Sequence, residues 1–288
     1  MKNRVKDIIK NWVSLYKKSP FSFIMRLLLN LSITFTVGTL SFILIYIGVK
    51  GVPFLTPSLF SLKYTSENVS MLPSIITTLM LVVCVLIISV PFGIFSAVYL
   101  VEYAPKKSPV VELIRLTTET LSGIPSIVYG LFGTLFFVTY LGWRYSFLAG
   151  VMTLSIMVLP LVMRTTEEAL LSVPDDWRQG SFALGAGKLR TVFKIVVPSA
   201  VPGILSGVIL SIGRIVGETA ALIYTLGTMT QIPTGAFSSG RTLALHMWAL
   251  SGEGRHMGQA YATAVVLILL VVAVNAASGF LAKKIQKR

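Results

Sequence analysis

The 288-residue chain is 54% hydrophobic and only 12% charged, with a formal net charge of +14 and a mean hydropathy of +0.80. Soluble domains carry about 25% charged residues, so the composition excludes a water-soluble globular fold and predicts an all-α, polytopic membrane protein. Cys84 is the only cysteine, which excludes an internal disulfide and reads as a small apolar side chain.

In chain order, residues 1–26 form a basic N-terminal segment and 27–288 a single membrane domain. Val5, Ile8, Ile9, Trp12, Val13 and Tyr16 recur at helical spacing among Lys and Arg. That pattern suits a helix lying in the headgroup region, the alternative being a solvated basic tail. The first apolar run is too long for a signal-peptide core, and no small-residue cleavage site follows it. Apolar runs near 20 residues predict six spans, at 27–49, 72–100, 121–142, 145–163, 201–226 and 260–282. The second carries Pro73 and Pro91 and is expected to kink or tilt.

With the N-terminus inside, nineteen Lys and Arg fall on the cytoplasmic side, and only Lys50, Lys63, Arg144, Arg241 and Arg255 fall outside. This is the positive-inside bias, with both termini cytoplasmic. The positive charge then needs no nucleic acid to explain it.

Residues 164–198, between the fourth and fifth predicted spans, are too patterned for a plain linker. Ser172 is placed to cap a helix, with Pro174 early in it and Asp175 and Asp176 complementing its dipole. Gly185 and Gly187 supply a stop, and a second short helix over 189–196 is expected to end at Pro198. Two short helices at a glycine corner suit docking into a partner's groove. Gly187-Lys188 does not make a phosphate loop, because Phe182 and Leu189 occupy the positions that need Gly and Ser or Thr. Any ATP-driven work requires another subunit.

Residues 179–198 resemble the coupling-loop signature of ABC importer permeases, an acidic-Ala-Ala opening, a glycine, and a closing I-x-L-P. Gly185 takes the glycine position, and Ile195, Val197 and Pro198 the closing motif, while Gln179, Gly180 and Ser181 replace the acidic opening. The run Arg164-Thr165-Thr166-Glu167-Glu168, the SGIPSIVYG stretch at 122–130, and Arg214 with Gly217-Glu218-Thr219 narrow the resemblance to the phosphate-transport permeases, the PstA family. The resemblance covers most of the chain from about Leu72 onward. It implies a type I ABC importer permease fold with six transmembrane helices and cytoplasmic coupling helices between spans 4 and 5. It also implies a multi-pass protein of the cell (inner) membrane, with no cofactor of its own. The implied partners are a second, PstC-like permease subunit, two ATP-binding subunits carrying ATP-Mg, and an extracytoplasmic phosphate-binding protein.

Arg214 and Glu218 are the only ionised side chains in the 201–226 run. Charges within a span mark a substrate or ion path by default. Four residues apart, they are expected to stack on one helix face, with Arg214 gripping phosphate through its guanidinium fork and Glu218 moderating that grip. A buried pair that only locks helix packing is the structural alternative. Arg164 and Glu167 are expected at the cytoplasmic end of the fourth span, where the resemblance implies a permeation or gating role. Snorkelling of Arg164 fits equally. Gly203 with Gly207, and Gly213 with Gly217, suit close helix approach. His246 and His256 read as solvated loop residues. The same architecture could import another oxyanion, such as sulfate or molybdate. An ATP-independent channel would have no use for a shaped coupling loop, and an intramembrane enzyme would need a nucleophile–base pair or metal cluster that the spans lack.

Overall fold

A computed structural model of the chain describes residues 20–105 and 108–286. The headgroup helix expected within 1–19 lies outside the described residues. The chain forms two units, Met1–Lys50 and Gly51–Arg288. From residue 20, the first unit consists of helix α1, Pro20–Gly51, all but its last residue, and the helix is apolar and long enough to span a bilayer.

The second unit opens with two 3-10 turns, Val52–Phe54 and Pro57–Phe60. Helix α2 runs Leu72–Val98 and widens into a π turn at Tyr99–Tyr103. Pro73 sits in its first turn, where a missing N–H costs nothing, and Pro91 is carried inside the helix. Next come α3, Pro109–Ser122, and α4, Ser126–Tyr140, bent by 101° from one another. The single third span expected at 121–142 is therefore a bent pair. Pro125 is the cause, because its ring disfavours a helical conformation at Ile124, next to Gly123. Helix α5 spans Phe147–Leu171, eight residues beyond the expected end, so the RTTEE run is helical.

Asp175–Ala183 forms the short helix α6, with Asp175 and Asp176 in its first turn. Ser172 does not cap it: its hydroxyl donates to the Ala169 carbonyl and closes α5, and Pro174 takes the cap position. Helix α7 runs Lys188–Gly217. No separate helix ends at Pro198, because the chain passes that residue by widening into a π turn over Val192–Val196. The expected fifth span is thus shifted towards the N-terminus, and α7 stops at Gly217, well short of Leu226. A single turn, α8, follows at Ala220–Ile223, then α9, Leu243–Glu253, and α10, Met257–Gln286. Among the described residues, five helices are long and apolar enough to cross a membrane, or six with α3–α4 as one span.

Within the second unit, α5 is central, packed between α2 and α7. Leu81, Val85, Leu154, Met157, Val158 and Ile215 are buried where they meet, joined by Leu222 of α8. Gly203 and Gly207 permit close approach: a Cβ on either would collide with Ala169 or Thr165 of α5. Gly213 and Gly217 have open space instead. Hydroxyls within the helices bond back to carbonyls four residues earlier, as Thr77, Thr78, Ser89 and Ser211 do.

The 227–258 region is not a simple loop. His246 lies in α9 and is fully buried, against the expectation of a solvated residue. Its ring meets Tyr64 edge-on with centroids 6.2 Å apart, and the Arg241 guanidinium lies 4.8 Å from the same Tyr64 ring. Burial first, then the charge of Arg241, push the His246 pKa down to about 3, outweighing a backbone contact from Val69.

Two stability outcomes follow. Gly207→Ala forces α7 off Thr165 and should cost about 1–3 kcal/mol, read as a lower melting temperature of detergent-purified protein; Gly213→Ala should melt nearly as the parent does. His246 stays neutral in the fold and charges on unfolding, so its contribution is whole above about pH 6.5 and is lost as pH falls towards its folded value. Between pH 7.5 and pH 5, the melting temperature should therefore fall less in His246→Leu than in the parent.

Candidate functional site

Three helices of the second unit border an open cavity of about 530 Å³ lined by Leu161, Ser206, Ile209, Leu210, Gly213, Arg214 and Asn275. Leu161 comes from α5, Ser206 to Arg214 from α7, and Asn275 from α10. Arg214 sits in the last turn of α7, half-buried. Gly213 beside it leaves open space, with no atom within 4 Å of where its Cβ would stand.

Arg214 and Glu218 do not stack. The helix stops at Gly217, and Glu218 has φ −73° and ψ 128°, an extended conformation. Its Oε1 instead accepts the Ala221 N–H at 3.1 Å, so the buried carboxylate caps α8. The physical reason is local competition. A glycine weakens the helix end, and the free amides of a new turn offer the carboxylate a closer partner than Arg214. Arg214 takes part in none of the ion pairs recorded among the described residues.

Arg164 and Glu167 belong to a different place. Together with Arg115, Thr118, Glu119 and Glu168 they line a second cavity, about 250 Å³, between α3 and the end of α5. Glu167 pairs with Arg115 at 2.7 Å, while Arg164 pairs with Glu168 one turn along its own helix at 3.2 Å. Arg115 is a site residue that sequence spacing does not reveal, because its partner lies on another helix.

The 164–198 segment folds around one arginine. Arg178 of α6 donates from Nη2 and Nε to Glu102 Oε1, at 2.7 and 3.1 Å. It also donates to the Leu170 and Val173 carbonyls, at 3.0 and 2.8 Å, and to Asp175 Oδ1 at 3.1 Å. Arg178 is 14% exposed and Glu102 8%. One planar fork thus binds α6 to the ends of both α2 and α5, which suits Arg and not Lys. On the far side, Gly185 turns the chain at φ +82°, and Ser181 meets Thr191 hydroxyl to hydroxyl at 2.8 Å. Of the residues aligned with the coupling signature, Gln179, Gly180 and Pro198 are exposed, Ile195 is half-buried, and Ser181 is internal. Trp177, Phe182, Leu184 and Leu189 present apolar surface around the corner, Leu184 at 91% exposure.

A profile of the family described as binding-protein-dependent transport system inner membrane component matches residues 89–287. The probable ABC transporter permease protein YqgI of Bacillus subtilis is 37% identical over 220 residues, covering 70% of this chain and 74% of that one. The phosphate transport system permease protein PstA of Mycobacterium leprae is 38% identical over 204 residues, covering 69% of this chain and 66% of that protein. PstA 1 of Mycobacterium tuberculosis is 36% identical over 198 residues, so the match spans 68% of this chain and 64% of that relative's length. In fold, the chain is similar to a bacterial alginate ABC transporter crystallised with its pentasaccharide-bound periplasmic protein. The TM-score there is 0.69 at 12% identity, over 95% of this chain and 98% of that one. It is also similar to the inward-facing MetNI methionine ABC transporter, with TM-score 0.59 at 20% identity over 74% and 93% of the two chains. The chain belongs to the binding-protein-dependent transport system inner membrane components, as an ABC importer permease of the PstA type.

Proposed function

We propose that this chain is one permease subunit of an ATP-driven importer of inorganic phosphate, supplying half of the translocation path. The observation that carries the reading is Arg214: a guanidinium without a carboxylate partner among the described residues, facing an open cavity between three apolar helices. An unpaired charge within a span is costly unless water or a counter-ion reaches it. The guanidinium fork matches two phosphate oxygens, and a single arginine binds loosely enough to release what it holds. The PstA relatives, named for phosphate transport, favour that anion over sulfate or molybdate.

The positive-inside bias puts both termini and the 164–198 segment in the cytoplasm. There the exposed Trp177, Phe182 and Leu184 around α6 would dock on an ATPase subunit that carries ATP-Mg. Two such ATPases, a second PstC-like permease and an extracytoplasmic phosphate-binding protein complete the assembly. The chain itself carries no nucleotide-binding motif and does no bond chemistry. Arg164, Glu167 and Arg115 would line the cytoplasmic mouth, their pairs breaking as the path opens inward. Arg178 would carry the ATPase stroke: because it joins α6 to α2 and α5, a push on the corner moves both helices together.

Reconstituted with its partners in proteoliposomes, the chain should support ATP-dependent uptake of radiolabelled phosphate that excess sulfate and molybdate do not displace. Arg214→Ala should lower that uptake at least about tenfold, the equivalent of 1.4 kcal/mol, while co-purification with the ATPase is kept. Wild-type uptake in this variant would refute the path assignment, and accumulation of sulfate instead would refute the phosphate assignment. Arg178→Gln strands the Glu102 carboxylate and should both destabilise the protein and uncouple it. Adding Glu102→Gln should restore thermal stability but not the phosphate moved per ATP hydrolysed.

A further inference from the structure

Ser206, Arg214 and Asn275 reach the same cavity from two helices, and among the described residues none of the three side chains has a hydrogen bond or ion pair, the charge of Arg214 being felt only by the nearby Tyr129. Asn275 Oδ1 is closed off from solvent and accepts no hydrogen bond. Ser206 also departs from the habit of its own helix. Ser199 and Ser211 of α7 bond back to the Ile195 and Gly207 carbonyls, at 2.6 and 2.9 Å, and Ser206 makes no such bond. Asn275 is flanked by Val274 and Ala276 in a helix of mean hydropathy high enough to span a bilayer.

A closed-off polar atom without a partner, as Asn275 Oδ1 is, costs on the order of several kcal/mol, and the hydroxyl of Ser206 is exposed on a helix long and apolar enough to cross a membrane. Packing against lipid would favour leucine at both positions. The cavity, about 530 Å³, is large enough for an ion and waters. The arrangement becomes economical only when something polar occupies that space.

We propose that Asn275 and Ser206 form, with Arg214, a transient station for the translocated tetrahedral oxyanion, in which Asn275 reads the proton that the anion carries. This deepens the phosphate reading above and rests on it. Near neutral pH inorganic phosphate keeps one or two P–OH groups, whereas sulfate keeps none. The asparagine amide has a donor end and an acceptor end, so one phosphate can satisfy both together, an anionic oxygen on Nδ2 and a P–OH on Oδ1. With sulfate the acceptor stays unmatched, and a polar group left unpaired discriminates far more strongly than a misfit in shape. Arg214 supplies attraction for any oxyanion; Asn275 supplies a preference for one that donates.

The single native cysteine makes a direct test possible. In a Cys84→Ser background, Asn275→Cys and Ser206→Cys are introduced separately, with Val272→Cys as the comparison on the exposed side of α10, 58% accessible. Each is assembled with its permease and ATPase partners, then treated with a membrane-impermeant, negatively charged thiosulfonate in nucleotide-free and ATP-bound states. Cysteines at 275 and 206 should react in at least one state; at 206, where Asn275 is intact, saturating inorganic phosphate should suppress the reaction and sulfate should not, whereas at 275, where the reading amide is gone, both anions should suppress it. Val272→Cys should react only with a lipid-soluble maleimide. The same lipid-only reactivity at 275 and 206 would overturn the station. Equal protection by both anions at 206 would overturn the proton-reading role of Asn275. Protection by sulfate alone would uphold a station on the path and refute the phosphate reading beneath it.

Discussion

Hydrocarbon offers no hydrogen bonds, so a backbone that leaves the helix inside an apolar run must find its partners within the protein. This chain leaves the helix after Gly217 and does not resume a long one until Leu243. The gap is closed by α5 and its neighbours. Ser146, Phe147 and Leu148 lend their N–H groups, free at the start of α5, to the carbonyls of Thr225, Ser238 and Ala236 at 2.8–3.0 Å. Thr134, which opens a π turn over Thr134–Tyr140 in α4, donates to the Tyr224 carbonyl at 2.6 Å, and Ser239 to that of Leu226 at 2.7 Å. Thr78 of α2 accepts the Leu243 N–H at 2.9 Å where α9 begins. Glu218 completes the set by capping α8. The irregular stretch is thus stitched to helices on several sides, and the stitching keeps the last turn of α7, with Arg214, beside a cavity.

The two arginines that matter most are treated in opposite ways. Arg178 spends its guanidinium on Glu102, Asp175 and two carbonyls. A group so fully bonded has one geometry and transmits displacement without absorbing it. Among the described residues Arg214 has no carboxylate partner, and its surroundings offer a hydroxyl and an amide that are equally without hydrogen bonds. A saturated arginine suits a joint and an unsaturated one suits a ligand. The corner shows the same division: α6 is bonded rigidly to α2 and α5, whereas its link to α7 runs through Gly185 at positive φ and one hydroxyl contact. In the importer proposed above, α2 and α5 would follow the ATPase through Arg178, and α7 would follow through its close packing on α5.

Much of this was legible in the residues. Apolar runs place the helices, and the RTTEE, glycine-corner and Gly-Glu-Thr motifs carry the family. Proline and glycine mark the corners, although their effect depends on context. Pro125 breaks a span, while Pro91 and Pro198 are passed over, the latter by a π turn. Periodicity cannot distinguish these cases, because the outcome depends on whether neighbouring groups take up the freed carbonyl. Spacing also misleads at Arg214 and Glu218. A separation of four residues implies stacking only while the helix lasts, and it ends between them.

By itself the sequence determined the membrane class, the helical content, the basic side and the presence of a shaped segment at 164–198, because each rests on composition or on local order along the chain. Only the tertiary structure decided which charges meet. Arg178 finds Glu102 across 76 residues, Glu167 finds Arg115, His246 is buried beneath Tyr64, and Asn275 comes to lie beside Arg214's cavity. These are pairings between helices, set by how apolar faces pack and where the backbone breaks. A one-dimensional pattern does not carry that information, because each helix is nearly apolar all round and its rotation is chosen by its neighbours.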